Sequence, residues 1–363
     1  MNLEITRLFN GEPILAPIGN TWQRTCTANS CAILLARETW SDRVLAQFLT
    51  AEQLQDSRLA QGVVVSLYTG VGKREEDLIE RQSRGLAFFT PDLELILRLP
   101  YPVLLPSEDS GAIDSQGIED VRLTVHDGVF YAWYCGYNGK DGAACVGYSS
   151  DLLHWEKTAP LPGDINQTYN KDHVVFPHKI NGKWWMLHRP WGPEYPDVND
   201  MVIRLANSDD LLGPWMDAGE ILRDVGNPER RIWTGGGAAP IPLGENRFLM
   251  IYHTGSFFED GARQYNAAAA LLDLSKYTPN NPQAVVVGKL DPLMIPETSW
   301  EKNADLRINI IFPMGAYLYG KDLIITYGAG DRFTCAAKLD FDQLLEILEQ
   351  QEKTHDNTER LSN

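Results

Sequence analysis

The chain has 363 residues, 44% of them hydrophobic and 22% charged, the balance of a soluble globular protein with an extensive core in one large domain or two ordinary ones. Its formal net charge of −17 excludes polyanions as partners, because neither nucleic acid nor anionic lipid is drawn to such a field. No run of about 18 apolar residues is present and the start lacks a basic-then-apolar leader, so the reading is a cytoplasmic protein that does not enter a membrane.

In chain order, ANSCAILLA (28–36) is the first strand region. Residues 38–61, rich in helix formers, predict a helical or irregular insertion before the strand GVVVSLYTG (62–70). LAFFTPDLEL (86–95) is a strand running into a turn. EDVRLTVHDGVFYAWY (119–134), KDHVVFPHKINGKWWMLHRP (171–190), GGGAAPIPLGENRFLMIYHTG (235–255) and RINIIFPMGAYLYGKDLIITYGAGD (307–331) each read as a hairpin, with HDG, NG, GEN and YGKD as turns. Between them, GYSSDLLHWEK (147–157) and ANSDDLLGPWMD (206–217) are strands entering Asp-bearing turns. At the end, DFDQLLEILEQQ (340–351) puts Leu344, Leu345, Ile347 and Leu348 on one helical face with Asp340 as the cap, and residues 352–363 are a polar, frayed tail. Cys26, Cys31, Cys135, Cys145 and Cys335 form no CxxC pair, so they read as reduced structural thiols and no structural metal is expected.

The repeating unit is thus about four short strands over about 50 to 70 residues, the length of a propeller blade. The fold class this implies is all-β: a five-bladed β-propeller over residues 1–351, with the C-terminal helix packed outside. A pair of β-sandwiches would show similar strands, but it does not explain why polar residues recur at the same place in each unit. A radial fold does, because the innermost strands begin at a common channel. That gathers Asn29, Ser30, Glu119, Asp120, Arg122, Lys171, Asp172, Arg189, His253, Asn309 and Asp331 at one mouth. Carboxylates, cations and amides backed by apolar strands suit a sugar site. Trp155, Trp184, Trp185, Trp191 and Trp233 are candidate sugar-stacking faces, although any single Trp is more often packing. By itself GIEDVR (117–122) reads as a solvated turn or salt bridge. The company of Lys171, Arg189 and His253 lifts it towards anion handling.

ANS (28–30), GIEDVR, the FP and HRP of the third segment, GGGAAPI followed by IYHTG, QYNAAAALLDL (264–274), and INIIFPMGA with YGAGD occur here in one order. In this order the sequence resembles glycoside hydrolase family 130 over residues 7 to 339, nearly the whole chain. The resemblance implies a five-bladed propeller that cleaves β-mannosides with inversion. It implies Asp120 as general acid, acting through a sugar hydroxyl, with Glu119 and Arg122 holding it. Asn29, Ser30, Tyr265, Phe312 and Asp331 are implied to line the sugar site, and Lys171, Arg189 and His253 match cations that phosphorylases of the family use.

Three positions depart from the pattern: Thr69 stands where phosphate users carry an Arg, Lys171-Asp172 where the family has a cation followed by Asn, and Val121 where it has Pro. An inverting hydrolase needs a second carboxylate about 6.5–9.5 Å from the acid, and Glu259 and Glu229 are the candidates, with Asp172 third. The sequence reading leans to a β-mannosidase. The alternative is a β-mannoside phosphorylase that takes inorganic phosphate as co-substrate and releases mannose 1-phosphate. A non-catalytic sugar-binding propeller is the reading from another class. A related five-bladed glycosidase acting on arabinosides, xylosides or fructosides ranks last, for want of its N-terminal Asp-strand box. The expected partner is a small oligosaccharide, with no cofactor and no metal. A homo-oligomer through the 38–61 insertion or the C-terminal helix is left open.

Overall fold

The computed structural model describes residues 3–19, 21–72, 80–191, 200–223, 232–258 and 260–362, with side chains through Lys353. Alternation along the chain decides the strands. In Gly62–Gly72, Val63, Val65 and Leu67 enter one core while Val64 and Tyr68 enter another, and all five are buried. A strand covered on both faces reads as a continuous apolar run. The hairpins close on residues that tolerate left-handed backbone: Asp127 and Gly128 at φ 50° and 76°, Asn181 and Gly182 at φ 53° and 79°. Two consecutive positive φ values are what a type I′ turn requires.

The fold is all-β with few helices, and its pairing resolves into four-stranded antiparallel units. The first is Cys31–Ala36, Gly62–Gly72, Arg81–Phe89 and Leu95–Arg98; the second is Gly117–His126, Val129–Tyr137, Gly142–Ser149 and Glu156–Thr158. The third is Tyr169–Val175, Trp184–Trp191, Ile203–Ser208 and Met216–Leu222; the fourth is Ile232–Gly236, Arg247–Phe257, Arg263–Asp273 and Val286–Met294. The fifth, Ile308–Tyr319, Asp322–Ala329 and Phe333–Asp340, takes its outer strand from the other end of the chain, Ile5–Arg7. Short parallel contacts link the first strand of one unit to the third strand of the unit before it, Gln82 with Gly117 and Arg263–Tyr265 with Ile308–Ile310.

The apolar cores lie between units. One joins Val65 and Phe88 of the first unit to Leu123 and Tyr134 of the second, and another joins Trp133 and Val146 of the second to Met186 and Trp215 of the third. Leu187 and Leu205 meet Met250 and Ala270, and Ile251 and Leu271 meet Ile325 and Tyr327. The last core returns to the start, with Tyr317 and Ile324 of the fifth unit against Val64 and Phe89 of the first. Each unit therefore packs on two neighbours, at about 1.5–3 kcal/mol for each large apolar side chain buried.

The 38–61 insertion contains the helices Thr39–Leu45 and Ala51–Leu54, the second opened by a reciprocal Thr50–Gln53 capping box. Val44, Leu45 and Leu49 of this segment extend the core of the first two units. The C-terminal helix spans Phe341–Ser362, continuing through residues 352–362 that the sequence reading set aside as a polar tail. Leu344 and Leu348 anchor it in the core of the fourth and fifth units, with Phe341 and Leu345 packed against the same cluster, which fixes its first turns. All five cysteines are buried free thiols.

Candidate active site

Two adjacent units carry the same irregularity on their first strands. In the second unit the register jumps between Glu119 and Arg122, and in the third between Lys171 and Val174, each time with one extra residue on the inner strand. These are β-bulges, which re-aim side chains. The residue re-aimed is an aspartate in both, Asp120 at φ 50° and Asp172 at φ 56°. Asn29 at φ 53° and Asp331 at φ 58° repeat the left-handed backbone in the first and fifth units. Asn and Asp are among the non-glycine residues that adopt this conformation most readily, so the sequence places there side chains that combine the bend with a polar head.

Asp120 is held from several sides. Asn29 Nδ2 donates to its Oδ1 at 2.8 Å, Lys171 Nζ stands 3.5 Å from its Oδ2, and Arg122 Nη1 donates to its backbone oxygen at 2.8 Å. Lys171 Nζ is also 3.7 Å from Glu119 Oε2, and Gln82 Nε2 donates to Glu119 Oε1 at 2.9 Å. Burial works to raise the Asp120 carboxyl, but Lys171 and Arg122 outweigh it and hold the group below the usual carboxylate range. Glu119 goes the other way: burial, aided by the Asp120 charge, pushes it up against the pull of Lys171. The opposing influences of cations and dry surroundings, open at the level of sequence, thus split between the neighbouring acids.

Asp172 lies at the centre of a second cluster. Its Oδ2 accepts from Arg189 Nε at 2.6 Å and its Oδ1 from Arg122 Nη2 at 3.2 Å, while His253 Nε2 stands 3.7 Å from Oδ2. Arg122 also donates to the backbone oxygens of Gly236 and Gly237 at 2.5 and 3.0 Å. Asp172 is fully buried, and although burial opposes its charge, Arg189, His253 and Arg122 hold its carboxyl far below the usual range. A carboxylate so saturated is not a base, which removes the third-ranked sequence candidate for that role. Burial pushes the His253 imidazole down to about 3, so it enters the site neutral, and among the described residues neither ring nitrogen has a hydrogen-bond partner. Gly235 is a glycine because a Cβ there would collide with Asp172 Oδ2 and the His253 ring.

Phe312 and Tyr265 complete the wall. The Phe312 ring lies 4.5 Å from the His253 ring and beneath the Arg122 guanidinium, 5.7 Å from the ring centre. Tyr265 meets Phe312 edge-on at 5.9 Å and is backed by Trp233 at 5.2 Å. Asp331 is at the rim, its side chain exposed.

The structure therefore brings Asn29, Glu119, Asp120, Arg122, Lys171, Arg189, His253, Tyr265 and Phe312 into one continuous cluster. Ser30 is not part of the surface: it is fully buried and bonded to the Ser66 hydroxyl on the adjacent strand. Glu229 and Glu259 lie outside the described residues. Of the tryptophans, Trp185 packs on Tyr277, Trp184 on His126 and Trp233 behind Tyr265, and Trp155 bonds Leu152. Trp191 is 40% exposed. Sequence reasoning missed Gln82 and Arg84. Arg84 pairs in register with Thr69 and is fully buried, bonding the Thr69 hydroxyl and the Ile118 carbonyl. The alternation of RQSRGLAFF on a strand facing GIEDVR was the only available signal.

A family model described as β-1,4-mannooligosaccharide phosphorylase matches residues 96–350. A 1,2-β-oligomannan phosphorylase of Thermoanaerobacter sp. (strain X514) is 32% identical over 65% of this chain and 71% of its own length. A β-1,2-mannobiose phosphorylase of Listeria innocua is 30% identical over 65% of this chain and 61% of its own. Among solved structures, a β-1,2-mannobiose phosphorylase from Listeria innocua in complex with β-1,2-mannobiose superposes with a TM-score of 0.70 at 20% identity, over 95% of this chain and 99% of that one. That similarity speaks for the fold alone. With residues 96–350 matched by the model and the bulged acid of GIEDVR at the centre of the cluster, the chain belongs to glycoside hydrolase family 130.

Proposed function

We propose that the chain is a five-bladed β-propeller that cleaves β-mannosides by phosphorolysis with inversion, releasing mannose 1-phosphate. The ring of inter-unit cores, with the fifth unit packed on the first, supports the propeller, and the four-stranded units are its blades. The observation that carries the chemistry is the bulged Asp120, held between Asn29 and Lys171 next to Arg122 and Arg189. Asp120 gives its proton, through a sugar hydroxyl, to the glycosidic oxygen as the bond to the anomeric carbon breaks. A phosphate oxygen forms the new bond from the opposite face, guided by Lys171 and Arg189 and by the neutral N–H of His253.

Charge supports phosphate as the attacking group. With no anion in place, Lys171 and Arg122 keep Asp120 ionised and unable to act as an acid. A dianion beside the same cations offsets them, so the co-substrate arms the acid. The phosphorylase names of the relatives at 30% and 32% identity point the same way, against the lean towards hydrolysis that the sequence alone gives. Hydrolysis stands second, favoured by one observation: Asp172 already occupies donors of Arg122 and Arg189 as an internal anion would.

The test is incubation with β-mannobioses of different linkage, β-1,2 first, with and without inorganic phosphate. Mannose 1-phosphate formed only with phosphate is the expected result. Free mannose released at the same rate in both arms would establish the hydrolase, and no product from any linkage would leave a sugar-binding propeller.

A further inference from the structure

A cleft of about 700 Å³ opens beside the acid, between the second and third units, lined by Tyr169, Trp191, Gln167, Lys140 and Asp141 with Gly142 in its floor. This is the size range of small-ligand sites. Tyr169 pairs in register with Trp191, and two residues further on Lys171 pairs with Arg189. Side chains two apart share one face of a strand, about 7 Å from each other. The aromatic pair is therefore the next step along the same surface from the cations that hold Asp120 and Asp172. The Tyr169 hydroxyl reaches the Cys135 thiol at 3.9 Å, and Cys135 pairs with Glu119, so the cleft and the acid share a wall.

The aromatic pair is fixed. A Cβ at Gly142 would collide with the Tyr169 ring, which therefore lies against bare backbone. Trp191 stands edge-on to Tyr169 at 5.0 Å and 62°, and Thr168 Oγ1 donates to its carbonyl at 3.0 Å. Its indole remains 40% exposed in a chain whose other tryptophans are mostly buried or half-buried. Around it, among the described residues, the side chains of Gln167, Lys140 and Asp141 are exposed and make no hydrogen bond or ion pair with protein. An exposed, rigid aromatic face ringed by an amide, an ammonium and a carboxylate matches the apolar face and hydroxyl rim of a pyranose. An ion alone would leave the indole unused, and a peptide or lipid would leave the charged rim unpaired.

We propose that this cleft is a distal subsite that takes a further sugar ring of a longer oligosaccharide, beyond the two rings flanking the scissile bond. The inference rests on the β-mannoside reading of the neighbouring site. It makes the enzyme length-selective, with Trp191 supplying the stacking face and Gln167 a hydroxyl contact.

Binding of β-mannooligosaccharides of two, three and four units is measured by calorimetry in the Asp120→Asn background, so that nothing is consumed, with and without Trp191→Ala or Gln167→Ala. Affinity is expected to rise about tenfold from the disaccharide to the longer chains, the worth of one aromatic face, and Trp191→Ala should remove that increment while Trp191→Phe restores part of it. Should Trp191→Ala fail to fold, the exposed Gln167→Ala reads the same increment, with a smaller loss expected. Affinity that is independent of length, or an increment that survives both variants, overturns the proposal. In the otherwise native enzyme, the ratio of kcat/KM for the tetrasaccharide over the disaccharide should fall about tenfold on Trp191→Ala. Turnover of no β-mannoside combined with length-dependent binding that Trp191→Ala abolishes would sink the catalytic reading and keep the subsite.

Discussion

Replacing Asp172 by Asn separates the two roles its carboxylate has in the fold and in the anion pocket. Asp172 Oδ2 lies 2.6 Å from Arg189 Nε and Oδ1 lies 3.2 Å from Arg122 Nη2. At an effective dielectric of ~20 each contact corresponds to about 5 to 6 kcal/mol of Coulomb attraction, most of it offset by the cost of taking the charges out of water. Removing one partner from a buried pair costs about 3–5 kcal/mol. Because the Asn oxygen still accepts from one guanidinium, the lower end, about 3 kcal/mol, is expected. Phosphate feels the opposite sign. An oxygen bound by the same guanidiniums sits about 5 Å from the carboxylate, where like charges repel by about 3 kcal/mol at that dielectric. Losing the carboxylate should therefore tighten phosphate by up to about 100-fold. The assay is thermal unfolding of both proteins over a phosphate titration, since a ligand at free concentration L that binds only the native state stabilises it by RT ln(1 + L/Kd) and so raises Tm more the tighter it binds. Asp172→Asn should unfold earlier without phosphate and gain more from it than the unsubstituted chain. An equal or smaller phosphate shift would refute the idea that Asp172 competes for the anion site.

Asp120→Asn keeps the oxygen that Asn29 contacts and loses the transferable proton, so kcat should fall by about 10²–10⁴ with the Tm within a few degrees of the parent. Activity near the parent level would remove Asp120 from the acid role. Gly235→Ala forces a methyl against Asp172 and His253; overpacking of this kind costs about 1–3 kcal/mol, and phosphate-dependent turnover should drop more than stability does, whereas equal activity would show that these groups can shift at no cost. Burial pushes His126 and His173 down to about 4 and His253 to about 3. Each is neutral when folded but takes a proton near pH 6.5 when unfolded, so its contribution is fully present above that pH and is lost as pH falls towards 4, at about 1.4 kcal/mol per unit for each ring. The Tm should drop steeply between pH 7 and 4.5 and less steeply in His253→Gln; a flat profile would contradict the burial of these rings.

The strand plan was legible because its causes are local. Alternation of apolar residues and the turns HDG and NG fix hairpins within about a dozen residues, and the observed Asp127-Gly128 and Asn181-Gly182 turns follow. The same locality explains Asp120, which sits in a compact motif. Ser30 failed for the same reason: it is next to Asn29 in the motif, but Asn29 takes left-handed backbone just ahead of the strand Cys31–Ala36 and the Ser30 side chain turns into the Ser66 hydroxyl instead. Trp191 could not be told from Trp184 or Trp185 by sequence, since only the register with Tyr169 puts it at an open cleft. Arg84 was invisible for want of any local signature: its meaning comes from the strand it faces across the register, at Thr69.

Asp172 shows where local reading stops. From the sequence, Lys171-Asp172 is a departure that adds a negative charge next to the expected anion pocket, and its consequence cannot be signed without distances. In the fold, the bulge that lets Asp120 face Asn29 is repeated one unit on, and the repeat turns Asp172 inward onto Arg122 and Arg189. Arg122 comes from the Asp120 bulge itself and donates both to the backbone of Asp120 and to the side chain of Asp172. The two aspartates are thus electrically linked through one guanidinium. Any anion that draws Arg122 or Arg189 away from Asp172 alters the field at Asp120, and this coupling follows from backbone geometry shared by neighbouring units and from no single motif.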